Sequence, residues 1–137
     1  MFAEVFETAK LIVAIAGGLG IAWYWNNKNH KLARYRYLDE AYKELLVTYL
    51  ENPHFGDPAL TGKYLECYGK DEIKYEYFAM TVHTVMETLW DVYGDRIPDE
   101  WVHVFKYHTK LHANWLRNNS EANRPGYVQR ALAAAKF

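Results

Sequence analysis

The sequence predicts an all-α protein: a single N-terminal transmembrane helix, residues 1–26, followed by a four- to five-helix cytoplasmic bundle, residues 27–137. Three observations carry this reading. Residues 11–25 read LIVAIAGGLGIAWYW, an apolar run without a charge. From Asn26 onward apolar residues recur at the three-to-four spacing of helices that face a core, with no strand-like alternation of useful length. Half of the residues are hydrophobic and 17% are aromatic, a composition that fills a core rather than leaving a chain disordered.

The anchor comes first. The uncharged stretch alone would span roughly 22 Å as a helix at about 1.5 Å per residue, short of a hydrocarbon core of about 30 Å. Starting the helix near Phe2 closes the gap, because Ala3, Val5, Phe6 and Ala9 extend the apolar surface. Lys10 then reaches toward the headgroups, with Glu7 three residues away to pair with it. Trp23, Tyr24 and Trp25 fall where an interfacial aromatic belt is expected. Lys28, Lys31 and Arg34 follow at once, so the positive-inside rule places the N-terminus outside and the C-terminal domain in the cytoplasm. A cleaved secretory signal would need a basic start and a small-residue cleavage site, whereas this segment carries Glu4 and Glu7 and ends in Trp-Tyr-Trp. A helix lying flat on the membrane would need a continuous polar face, and that face stops at Lys10. Ala14, Gly18 and Ala22 recur every four residues, as do Ala16 and Gly20. Such a small-residue stripe lets a second transmembrane helix approach closely.

In the body, Tyr35, Leu38, Tyr42, Leu45 or Leu46, and Tyr49 form one helical face that Asn52-Pro53 ends. The segment from Asn52 to Pro58 holds Pro53, Gly56 and Pro58 and reads as a tight connection. Pro58 opens a short helix carrying Leu60, Tyr64, Leu65 and Tyr68, which Gly69 stops. A long helix from about Asp71 to Tyr93 follows, with Tyr75, Phe78, Val82, Met86, Leu89 and Tyr93 as its stripe and Gly94 as its C-cap. Pro98 suits a first helical position, and Asp99 and Glu100 suit the positive end of the helix dipole. Trp101, Val104, His108, Leu111 and Trp115 make that helix's apolar stripe. A polar run from Asn118 to Asn123 leads to Pro125-Gly126, and Tyr127 to Phe137 forms an alanine-rich last helix.

Charge and cysteine usage exclude several functions. Setting aside Glu4, Glu7 and Lys10 leaves 15 basic and 15 acidic residues from Asn26 onward. A neutral body argues against nucleic acid, whose binders gather excess Lys and Arg on one face. Cys67 is the single cysteine, so the fold does not rely on an internal disulfide and suits a reducing compartment. Nothing beside it would activate a thiol. Gly17-Gly18-Leu19-Gly20 lies within the apolar run rather than after a strand, so it is no nucleotide loop, and neither a Ser-His-Asp arrangement nor a paired Cys motif is present.

The pattern closest to an active site is a metal set of Zn or Fe, of the kind that can also carry redox chemistry. His83 and Glu87 are one helical turn apart, as are His108 and His112, and such pairs on two antiparallel helices could converge. A di-iron bundle needs two Glu-x-x-His pairs on helices. Glu100 to His103 fits, but the other match, Glu51 to His54, contains Pro53. The simpler expectation places His108 in the core, the other histidines on polar faces, and no cofactor. The many tyrosines of the first half are expected in the core or at its boundary, some forming a docking face.

Tyr75-Glu76-Tyr77-Phe78, the run from Val85 to Asp91, Trp101, and Trp115-Leu116 before a short final helix resemble a loose class of short, uncharacterised bacterial membrane-anchored all-helical proteins. The resemblance covers roughly residues 35–137, implies a bacterial inner-membrane location, and carries over no catalytic residue. The expected function is a non-enzymatic, membrane-tethered interaction module, an accessory or small subunit of a larger membrane protein complex. Its partners are the lipid bilayer and other membrane subunits or a second copy. The metal-binding bundle is the alternative.

Overall fold

The computed structural model describes residues 2–135, which contain helices and turns and no strand. The chain divides into two units, residues 1–36 and 37–137. Helix α1 (Phe2–Glu51) contributes to both, so the expected boundary between residues 26 and 27 lies inside a helix. Nothing in its sequence breaks it, since the first proline is Pro53. The residue before a proline is pushed out of the α region, and Asn52 sits at φ −132°, ψ 71°. Its side chain then closes the helix end: Nδ2 donates to the Thr48 carbonyl at 3.1 Å, and Oδ1 accepts from Lys74 Nζ at 2.9 Å.

In the first unit every residue from 2 to 34 is exposed. The helix there is long and apolar enough to cross a membrane, with a mean hydropathy of 1.7 over its most apolar 18 residues. Lys10 pairs with Glu7 at 3.0 Å and lies over the Phe6 ring at 4.6 Å. Lys28 lies 5.2 Å over the Trp25 ring.

In the second unit the remaining helices are α2 (Pro58–Thr61), α3 (Tyr64–Cys67), α4 (Glu72–Tyr93), α5 (Asp99–Leu111), α6 (Ala113–Asn118) and α7 (Pro125–Ala134). The single short helix expected after Pro58 is two. Asp57 caps the first through its side chain, which accepts from the Ala59 amide at 2.9 Å. Asn114 Nδ2 then takes the Gly62 carbonyl at 2.6 Å, while the Glu66 amide turns to Lys63 instead. The helical ladder therefore breaks at Gly62-Lys63.

The central helix α4 buries the stripe read from the sequence, Tyr75, Phe78, Val82, Met86 and Leu89. Gly94 ends it at φ +61°, a conformation that favours glycine. Helices α3, α5 and α6 pack on α4, and α7 packs on α5 and α6. Of the two candidates in the α1 stripe, Leu45 is buried and Leu46 exposed. Pro98 sits one position earlier than expected, as the residue before α5, with an extended ψ of 150°. The last helix begins at Pro125, and its expected end at Phe137 lies outside the described residues.

Candidate functional site

The stripe Trp101, Val104, His108, Leu111, Trp115 predicts one helix, but the chain turns at His112, where φ is −107° and ψ 23°. A buried side chain meets the backbone at this turn. His83 Nε2 donates to the His112 carbonyl at 2.9 Å, and the same oxygen also accepts from the Leu116 amide at 3.3 Å. A carbonyl can only accept, so His83 carries its proton on Nε2 and its Nδ1 accepts from the Tyr127 hydroxyl at 2.8 Å. The imidazole is stacked on Trp115, with ring centroids 5.7 Å apart.

Around His112 the polar atoms form a line. The Tyr75 hydroxyl lies 2.8 Å from His112 Nδ1, and His112 Nε2 lies 2.7 Å from the Tyr49 hydroxyl. That hydroxyl is 2.9 Å from His108 Nδ1, and His108 Nε2 is 3.3 Å from the Tyr42 hydroxyl. Each neutral imidazole offers one donor and one acceptor, and each hydroxyl has one proton to give. Tyr75 is wholly buried, so its proton goes to His112 Nδ1. That choice fixes every later one: His112 donates to Tyr49, Tyr49 to His108, and His108 to the half-buried Tyr42 at the edge. The line is satisfied throughout with neutral rings.

Burial sets the electrostatics. Removal from water disfavours the imidazolium, lowering His83 and His108 to about 4 and His112 well below its ordinary value. The same burial pushes the Tyr49 and Tyr75 hydroxyls up, so they stay protonated.

No family model, curated protein or solved structure matches the chain.

Of the alternative metal set, His83, His108 and His112 are all buried, which corrects the expectation that only His108 lies in the core. His83 and His112 fall on the inward sides of α4 and of the α5–α6 turn. Their ring nitrogens are engaged with Tyr127, Tyr75, Tyr49 and a carbonyl. Glu87 is directed elsewhere: its carboxylate accepts from Asn123 Nδ2 at 2.5 Å and from Arg124 Nε at 2.6 Å. Arg124 also reaches Asp91 and lies 5.5 Å over the Trp90 ring. Among the described residues no three His, Cys, Asp or Glu side chains are grouped to hold a metal ion.

In the first unit, Ala14, Ala16, Gly18, Gly20 and Ala22 are exposed, and a side chain added at Gly18 or Gly20 would meet nothing. Trp23, Tyr24 and Trp25 are exposed too, with Tyr24 edge-on to Trp25 at 5.9 Å. In the second unit Tyr37 and Tyr77, both exposed, flank a cleft of about 450 Å³ between α1 and α4, edged by Glu40, Glu44 and Lys74. Sequence reasoning missed Tyr42, Tyr49, Tyr75 and Tyr127 as histidine partners. The available signal was the placement of Tyr42, Tyr49, Tyr75 and His108 on stripes predicted to face one core, where every polar tip needs a partner.

Proposed function

We propose that this chain is a membrane-tethered, non-enzymatic interaction module, an accessory or small subunit of a larger membrane complex. The apolar part of α1 crosses a bilayer once, with the N-terminus outside and a helical bundle on the cytoplasmic side. One observation carries the reading: the most apolar 18-residue window of the helix is 0% buried. The core helix of a soluble protein would be covered by its own chain. An exposed apolar surface of this length calls for a nonpolar phase or a partner. The aromatic residues Trp23 to Trp25 followed by Lys28, Lys31 and Arg34 support the orientation. The open small-residue face along Ala14, Gly18 and Ala22 suits a neighbouring membrane helix. The exposed Tyr37 and Tyr77 beside their cleft suit a contact outside the bilayer.

The test is purification of the full-length protein from its native membrane in mild detergent, with co-purifying proteins identified and metals quantified on the same sample. A reproducible membrane partner that is lost in Gly18→Ile supports the reading. Protein that purifies alone, with stoichiometric zinc or iron lost in His108→Ala or His112→Ala, overturns it in favour of the metal-binding bundle.

A further inference from the structure

Residues 37–51, the last part of α1, are held to the body by buried Leu38 and Leu45 and by two tyrosine hydroxyls. Those hydroxyls, on Tyr42 and Tyr49, meet His108 at the end of α5 and His112 at the α5–α6 turn. Among the described residues no ion pair joins residues 37–51 to the later helices. The polar contacts made by residues 37–51 themselves thus rest on two imidazoles, and one residue further on Asn52 holds Lys74 of α4.

Its hydrogen-bond order tolerates only neutral rings. If His112 gains a proton, Nδ1 becomes a donor toward the Tyr75 oxygen, and the Tyr75 hydroxyl loses its acceptor in a wholly buried position. If His108 gains one, Nδ1 donates to the Tyr49 oxygen, which already accepts from His112, and the Tyr49 proton is stranded. A stranded buried donor forfeits its full desolvation cost.

The surroundings offer no compensating charge. The titratable groups packed around the pair are Tyr42 and Tyr49 of α1, Tyr75 and His83 of α4, and Tyr107 beside His108 at 5.0 Å. Tyr68, from the turn after α3, stacks on Tyr75 at 4.4 Å, and Tyr64 of α3 lies 5.5 Å from the same ring. None of them is a carboxylate that would offset an imidazolium, and a charge on His83 would oppose one on His112. Among the described residues, the histidine nearest a carboxylate is His54, 3.5 Å from Asp71, in a different place.

We propose that the junction of Tyr42 and Tyr49 with His108 and His112 is a proton-operated latch on residues 37–51, closed when both imidazoles are neutral and released when His108 is protonated. Release frees the α1 segment first, because both ring nitrogens of His108 bond its tyrosines directly. The contacts among α4, α5 and α7 do not pass through these two hydroxyls.

Hydrogen–deuterium exchange on the full-length protein in detergent micelles tests this, comparing peptides from residues 37–51 with peptides from residues 76–89 at pH 7.5 and 5.0 after correction for intrinsic rates. The expected result is exchange on the order of tenfold faster at pH 5.0 in residues 37–51, the factor that about 1.4 kcal/mol of lost closure gives, an acid step that persists in His83→Gln, with residues 76–89 exchanging more slowly than residues 37–51 at both pH values. His108→Gln should remove most of that acid step. The proposal is overturned if residues 37–51 do not respond, if both segments open together, or if His108→Gln keeps the full step. Should the variant fail to fold, the wild-type comparison of the two segments decides alone.

Discussion

Tyr49 is the residue on which the buried polar line turns, since it both accepts from His112 and donates to His108. Tyr49→Phe keeps the ring, which sits edge-on to Phe78 at 4.8 Å, and strands one polar atom on each histidine. The expected loss is about 1–3 kcal/mol per stranded group, read as a lower midpoint in chemical denaturation. Tyr42→Phe, at the half-buried end of a 3.3 Å contact, should cost less than about 1 kcal/mol. The three histidines also give the fold a pH dependence of definite sign. A ring that binds its proton more weakly folded than unfolded leaves stability intact above its unfolded value near 6.5. That stability is lost as pH falls from there toward the folded value, with no further loss below it. For His83 and His108, both lowered to about 4, the loss by pH 5 is about 2 kcal/mol each. Denaturation midpoints measured at pH 7 and pH 5 check this, and His83→Gln should shrink the difference. The residue types were legible in the sequence and their pairing was not. Helical spacing puts His108 and Tyr49 on inward stripes, but which hydroxyl meets which nitrogen depends on helix separations that no local pattern encodes.

At the scale of the elements, the stops and starts were the readable part. Pro53, Gly69, Gly94 and Pro125 act through backbone geometry alone, and each marks a helix end or start in the structure. Gly94, at φ +61° and ψ −127°, occupies a region that essentially only glycine enters. Gly94→Ala should therefore destabilise the body by about 1–3 kcal/mol, measurable as a lower thermal midpoint, although open space surrounds the site. The breaks that were missed share one feature. At Gly62 and at His112 a distant side chain, Asn114 in one case and His83 in the other, bonds a backbone carbonyl at the break. Local propensity carries no record of such a partner fifty residues away in one case and about thirty in the other. Phe105 is the corresponding omission in packing: it is buried between the expected stripe positions and packs edge-on to Tyr127 at 6.2 Å.

For the molecule as a whole, the two units pose opposite problems. Residues 37–137 cover their large side chains with one another, whereas the apolar residues of the first 25 are exposed without exception among those described. That contrast was visible in the sequence as an uncharged run followed by periodic amphipathic segments, and the proposed membrane tether rests on it. The chain carries its own probe for testing the arrangement, because Cys67 is the single cysteine and is exposed in the body. The most direct measurement is labelling of Cys67 with a membrane-impermeant maleimide in intact bacterial spheroplasts expressing the full chain, then again after lysis, with the protein recovered from the alkali-washed membrane fraction. A spanning helix with its body on the cytoplasmic side gives membrane-retained protein that is labelled only after lysis. Labelling of intact spheroplasts, or protein released into the soluble fraction by the alkaline wash, would contradict it.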